Sequence, residues 1–470
     1  MSAADASSPA AYGRAETLPA AARAAALARA AAGAPLVVAA LLAGCAEPLP
    51  PPEPLPAEPH SMILGLDGAD WRIALPLVRQ GKLPVIAALR RAGVSDRMLS
   101  NEDFDFSPVL WTTIATGKLP EKHGVVHFMA EWGDIERPIP TPSLARRCRA
   151  LWNIFSENGI PSGFVGWWVT WPAEPTLGFM VSDHFSVSRF DLGGDYESDV
   201  HDREFYREQT YPPELAKDIR HLKVPRQEIA REDLARFARL DDSDEWPKRF
   251  EQYGKESEFA IAHSVDRTHE SVGLFLLERD APPAFGVYLE GIDIMQHFFW
   301  EFMDPAGTGT EPAAKLREKW GTMVERYYRW TDARVGAFVD AGGDERAVML
   351  VSDHGFQPST ERWEEMGISG EHRRESFFLF AGPGVRRGER IDGMDAVDVT
   401  PTILVYHGLP FGEDMDGRPV LDCFTEELRE QRKPMVLPTL EVGDFDRAAI
   451  PDSSVARDLE ERIRALGYIQ

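Results

Sequence analysis

The sequence predicts an α/β fold: a central, mostly parallel sheet with helices on both faces and an inserted cap region. Three observations predict it. Apolar runs at 61–66, 284–293 ("AFGVYLEGID"), 347–355 ("AVMLVSDHG") and 376–385 ("SFFLFAGPGV") are continuous rather than alternating, as strands covered on both faces require. Charged, amphipathic stretches of helical length separate them, at 71–93, 244–280 and 311–341, the last stopped by "AGG". Finally, Asp67, Asp293, Asp353 and His354 each stand just beyond an apolar run, at the carboxyl ends of strands where open α/β sheets collect ligands.

Taken in order, the chain opens with a segment outside the folded domain. Residues 1–34 are Ala-rich and carry Arg14, Arg23 and Arg29; "PLVVAALLAGC" then gives a short apolar run ending in small residues at Cys45. Such a run is short for a bilayer span and suits the core of an export signal. "LAGC" resembles the lipobox of bacterial lipoproteins, which implies a signal peptide over 1–44, lipidation at Cys45 and attachment to a membrane of the bacterial cell envelope, with a periplasmic location. The Pro-rich stretch 45–60 reads as a stiff tether. The main folded domain is expected over 61–430 with its cap insertion at about 183–280, followed by a C-terminal extension, 431–470, whose residues 454–467 have helical spacing.

Composition narrows the function. With 51 Lys and Arg against 76 Asp and Glu, the net charge of −25 offers no cationic footprint, so a nucleic-acid polymer is not an expected partner. Three cysteines, Cys45, Cys148 and Cys423, build neither a disulfide framework nor a thiolate metal site, so any metal must be held by His and carboxylate.

The candidate ligands follow. Asp293 and His297, in "GIDIMQHFFW", are spaced i, i+4 and share a face if that segment is helical. Asp67, Asp353 and His354 close two strands, and His372 lies in the Gly-flanked "GISGEHRRE". Six such side chains suffice for two zinc-like ions with three protein ligands each. Manganese or iron also accepts mixed His and carboxylate donors.

Ser107 precedes Pro108 and is expected in a non-helical approach to a helix over "VLWTTIATG", whose first amides face it. Thr112, Thr113 and Thr116 lie inside that helix, where their hydroxyls bond the preceding turn. His123 in "PEKHGV" is expected to orient a loop, and "VGWWVTWPAE" (165–174) divides between core packing and a cleft wall.

The order "GLDGAD", "SPVLWTTIATGKLPEKHG", "IDIMQHFFW", "SDHGF", "GEH" and "DVTPTILVYHGLPFGEDMDGRPV" resembles the alkaline phosphatase superfamily in its type I phosphodiesterase/nucleotide pyrophosphatase branch, from about 62 to 424. The resemblance implies an alkaline-phosphatase-like three-layer sandwich. It further implies one zinc held by Asp67, Asp353, His354 and Ser107, and a second held by Asp293, His297 and His372. The family reaction is in-line attack by the Ser107 hydroxyl, a covalent phosphoserine and its hydrolysis, on a small phosphate-ester substrate. Two positions depart: nucleotide-directed members use threonine where Ser107 stands and asparagine where Leu110 stands. Oxyanion stabilisation would come from the zincs, from backbone amides between Pro108 and Trp111, or from another side chain. The alternatives are a phosphotransferase or mutase on the same fold and a non-catalytic binding lipoprotein.

Overall fold

The computed structural model describes residues 58–100, 106–131, 139–186, 208–242, 244, 246, 254–363, 367–391 and 393–441. The expected signal segment, Cys45, most of the tether, part of the cap (187–207) and the helix expected at 454–467 lie outside them.

The main sheet has eight strands: β1 (His60–Leu66), β2 (Gly93–Asp96), β3 (Ser162–Val165), β4 (Phe179–Val181), β5 (Thr210–Tyr211), β6 (Ala284–Leu289), β7 (Arg346–Val351) and, after a separate hairpin of β8 (Gly355–Trp363) and β9 (Ile368–Arg373), β10 (Phe378–Ala381). Their order is β2-β10-β7-β1-β6-β3-β4-β5. The five central strands, β7 through β4, run parallel, while β10 and β5 pair antiparallel with their inner neighbours.

Helices cover both faces. Met62, Leu64 and Leu66 of β1, Phe285 and Val287 of β6, and Val348 and Leu350 of β7 pack in one core; Ile63, Tyr288, Ala347 and Met349 from the same strands pack in another. The two-residue period of a strand makes this division, since successive side chains point to opposite faces. Helices α1 (Trp71–Arg79), α2 (Pro84–Ala92), α5 (Lys255–Asp280), α6 (Gly291–Met303) and α7 (Met323–Gly342) supply the first core, and α3 (Ser107–Thr116), α4 (Leu151–Glu157) and α8 (Val399–Tyr406) the second. The result is an α/β three-layer sandwich.

Several local features differ from the sequence reading. Residues 71–93 form two helices rather than one, broken where Gly81 takes φ +71°. Ser107 is the first residue of α3 rather than part of a non-helical approach; Pro108 is accommodated because the first helical turn does not need its missing N–H. Within the expected cap stretch 183–280, Thr210–Tyr211 form the edge strand β5, and α5 lies in the helical layer against β6. Among the described residues no helix is long and apolar enough to cross a membrane.

Candidate metal centre

Register alone brings the first ligands together. Gly65 of β1 pairs with Val351 of β7, and Leu66 pairs with Leu289 of β6, so Asp67, Asp353 and the start of α6 leave the sheet at one edge. The Asp67 amide continues the ladder by donating to Leu289 O at 2.9 Å. Gly68 then turns at φ +68°, where a Cβ would lie 2.9 Å from the Phe356 ring and 3.0 Å from Asp293 Cα. Only glycine combines that backbone with that proximity.

The helix α6 carries Asp293 in its first turn and His297 one turn later, on one face as expected. His372 arrives from β9 of the hairpin that follows the β7 turn. All six expected imidazole and carboxylate groups converge. His354 Nε2 lies 3.3 Å from Asp67 Oδ1, 3.4 Å from Asp353 Oδ2 and 3.7 Å from Asp293 Oδ1. His372 Nε2 is 3.3 Å from Asp293 Oδ1 and 2.9 Å from His297 Nε2, which is itself 3.5 Å from Asp293 Oδ1. Two sets of possible ligand atoms lie mutually within 4.8 Å: Asp67, Asp353 and His354; and Asp293, His354 and His372. His354 thus belongs to both, an overlap the sequence did not show.

The site carries its own test for a cation. Asp67 Oδ1, Asp293 Oδ1, Asp353 Oδ2 and His354 Nε2 are buried and have no hydrogen-bond partner. Such atoms are costly unless something else satisfies them. The ring nitrogens are oriented for the purpose: His297 Nδ1 lies 3.0 Å from Gly370 O and His354 Nδ1 lies 3.2 Å from Gly355 O. A carbonyl only accepts, so Nδ1 carries the proton in each ring and Nε2 turns its lone pair inward. The residues present therefore fit divalent cations, and the oxygen and nitrogen donors suit zinc, manganese or iron.

Electrostatics agree. Burial pushes Asp353 well above the usual carboxylate range, with repulsion from Asp67 and Asp293 adding to it. Burial also raises Asp293, to about 7 against the attraction of His297, and lowers His297 to about 4. Against its burial, the neighbouring His354 ring and the Tyr288 hydroxyl hold Asp67 down at about 2. Among the described residues, no Arg or Lys pairs with any of these three carboxylates.

Two aromatic groups that the sequence reading missed hold Asp67. Tyr288 OH and Trp111 Nε1, the latter at 3.2 Å, both donate to Asp67 Oδ2, leaving Oδ1 for the cluster. The signal in the sequence was slight: Tyr288 stands one residue before the end of β6, and Trp111 lies one helical turn after Ser107. Trp111 is fully buried, with its ring against Gly65, so truncation to alanine would cost about 3–5 kcal/mol in packing alone.

That contact ties α3, the helix of Ser107, to Asp67. Ser107 opens α3, is buried, and lies one turn before the residue bonded to Asp67. The threonines compete no further: Thr112, Thr113 and Thr116 donate to Pro108 O, Val109 O and Thr112 O at 2.6, 3.0 and 2.8 Å. His123 is buried in a loop-holding role, accepting from Val125 N at 3.1 Å and meeting Thr113 Oγ1 at 3.1 Å. Backbone amides are poor oxyanion donors here, because Val109 N and Leu110 N both donate to Phe106 O and Pro108 has none. Of the three sources considered for oxyanion stabilisation, the amides of Val109 and Leu110 are therefore disfavoured. Of the three tryptophans at 167–171, Trp167 and Trp171 are core, while the half-buried Trp168 donates to Tyr288 OH at 2.9 Å.

Comparison with known proteins follows the same lines. Residues 62–375 match the family described as type I phosphodiesterase/nucleotide pyrophosphatase. No curated protein matches the sequence. Among solved structures, murine ectonucleotide pyrophosphatase/phosphodiesterase 5, in complex with AMP, is similar at 12% identity and TM-score 0.45, over 78% of this chain and 100% of that one. The human counterpart gives 12% identity and TM-score 0.43 over 78% and 100%. Phosphonoacetate hydrolase from Sinorhizobium meliloti, in complex with phosphonoacetate, gives 15% identity and TM-score 0.37 over 66% and 59%. With two thirds of its length matched by the family, the chain belongs to the type I phosphodiesterase/nucleotide pyrophosphatase family of the alkaline phosphatase superfamily.

Proposed function

We propose that this protein is a two-metal phosphoric ester hydrolase that uses Ser107 as nucleophile on small phosphate esters. The observation that carries the reading is the convergence of four buried, unpartnered atoms, Asp67 Oδ1, Asp293 Oδ1, Asp353 Oδ2 and His354 Nε2. Asp67, Asp353 and His354 would hold one cation with Ser107, and Asp293, His297 and His372 the other. Bound there, the cations would supply Lewis acidity toward phosphoryl oxygens and charge to favour a serine alkoxide.

The chain's own residues do the rest. Ser107 opens a buried helix, one turn before Trp111, whose indole donates to Asp67 Oδ2. Its Oγ forms a bond to phosphorus as the ester oxygen departs with the electron pair, and water then cleaves the phosphoserine and restores the hydroxyl. Leu110 is fully buried, so it offers a substrate no polar group where nucleotide-directed relatives place asparagine. Small diesters without a nucleoside therefore fit the reading better than nucleotides, although a relative's complex with AMP keeps nucleotides in the test.

The experiment compares wild type with Ser107→Ala on chromogenic diesters, monoesters and nucleotides, with an alcohol acceptor present. Turnover should fall by at least about 10³-fold in the variant while its circular dichroism is retained. Unchanged rates would move the nucleophile elsewhere, and dominant transfer to the alcohol would make the protein a phosphotransferase.

For the chain outside the described residues, we propose export and lipid anchoring at Cys45, with the domain held at the cell envelope by the Pro-rich stretch. Mass spectrometry of the mature N-terminus should find a lipidated Cys45; a retained Met1 would refute it.

A further inference from the structure

Four separate segments deliver the candidate imidazole and carboxylate ligands, and the sheet register sets only where the ends of β1 and β7 and the start of α6 leave the sheet. What ties the segments together lies one layer below. Asp70, three residues after Asp67, is buried with its carboxylate reaching in two directions. Oδ1 accepts from Arg72 N at 2.7 Å and caps α1. Oδ2 is not needed for the cap; it accepts from Phe356 N at 3.2 Å and faces Arg373 Nη1 at 3.5 Å. Phe356 stands two residues after His354, and Arg373 one after His372. The close approach depends on Gly355, where a Cβ would lie 2.7 Å from Asp70 Oδ2.

The backbone of Asp70 makes the remaining link. Its N–H donates to Tyr328 OH at 3.0 Å, Tyr328 OH donates to Gln296 Oε1 at 3.3 Å, and Gln296 Nε2 donates to Gly68 O at 2.7 Å. Gln296 sits beside His297 on α6. One residue thus touches, directly or through a single side chain, every segment that carries a candidate imidazole or carboxylate ligand, yet is absent from both convergent groups.

We propose that Asp70 is the positioning residue of this centre: its second carboxylate oxygen holds the β7 turn and the β8–β9 hairpin against the β1 turn, and so sets how tightly the site binds its cations. The proposal rests on the two-cation reading above. Oriented supports of this kind tune cation affinity because ligands free to swing must be ordered on binding.

Two variants separate this role from helix capping. Asp70→Ser keeps a good cap but is too short to bridge, and Asp70→Asn keeps the shape but sets an amide where a carboxylate faced Phe356 N–H and Arg373. Chelator-stripped wild type and both variants would be titrated with Zn2+ in competition with a chromophoric chelator. The expected result is two ions bound by wild type and a roughly 10- to 100-fold weaker Kd for at least one ion in both variants. The metal-free proteins should melt within a few degrees of one another, and kcat, lowered at limiting zinc with KM unchanged, should recover as zinc is raised. Wild-type Kd values in both variants would overturn the proposal, as would a lower melting temperature without any change in Kd. Wild type that binds no zinc would overturn the two-cation reading itself, before any variant is compared.

Discussion

The two ends of strands β1 and β7 make a natural comparison. Both bury polar side chains, but they treat them differently. At the amino end, Ser61 Oγ and His407 Nε2 are 2.7 Å apart, and Arg346 Nη1 donates to Ser61 O and Pro282 O at 3.0 and 2.9 Å. Arg346 Nε lacks a partner there, but no second unpartnered side-chain atom of these neighbours faces it. At the carboxyl end, three carboxylate oxygens and an imidazole nitrogen without partners face one another. Burial and polarity alone therefore do not distinguish a site from a scaffold. Convergence of unsatisfied atoms does, because it stores an electrostatic demand that only a further charge meets.

The strongest way to break the comparison is Asp353→Asn, at the carboxyl end. Turnover should fall about 10³-fold or more, since a ligand is lost. Stability in the metal-free state should move the other way. Asp353 is raised in the fold by burial and by its acidic neighbours, so its ionised form destabilises the folded chain once pH exceeds the unfolded value of 3.8. Metal-free Asp353→Asn at pH 7.5 should accordingly melt higher than metal-free wild type, and zinc should stabilise wild type more than the variant, which keeps only the Asp293, His297 and His372 set whole. Equal melting of the two metal-free proteins, read by calorimetry, would mean the carboxylates are not in conflict.

The smaller test lies at the amino end. Burial, followed by the Arg432 charge, holds His407 down at about 3. Its folded value lies below the unfolded 6.5, so the stability it protects is complete above pH 6.5 and is lost as pH falls toward 3. At pH 5 the loss is about 2 kcal/mol for such a group. His407→Gln, which keeps a bonding partner for Ser61, should flatten the acid limb of the unfolding curve by that amount and leave turnover at pH 7.5 unchanged. A variant that loses turnover would join the two ends and sink the contrast.

Much of this was legible in the sequence. Three of the unbroken apolar runs became the parallel strands β1, β6 and β7, the fourth became β10, which pairs antiparallel, and the residues that close β1 and β7 marked the edge where Asp67, Asp353 and His354 stand. The i, i+4 spacing of Asp293 and His297 placed both on one helical face, and α6 has them so. Position relative to proline was less reliable: Ser107 entered the helix because the first turn tolerates proline at its second residue. The aromatic cluster at 165–174 divided along the lines the sequence suggested, with Trp167 and Trp171 in the core and Trp168 keeping a partly open face.

By itself the sequence determined the element types, the fold class and the set of metal-competent side chains, because strand and helix periodicity and turn chemistry act over a few neighbouring residues. Only the tertiary structure decided that His354 stands between two ligand groups, that Tyr288 and Trp111 grip Asp67, and that Asp70 bridges to Phe356 and Arg373. Those contacts join residues as many as 303 positions apart, as Asp70 and Arg373 are. No local pattern encodes them, since sheet register and helix packing, not chain proximity, set which atoms meet.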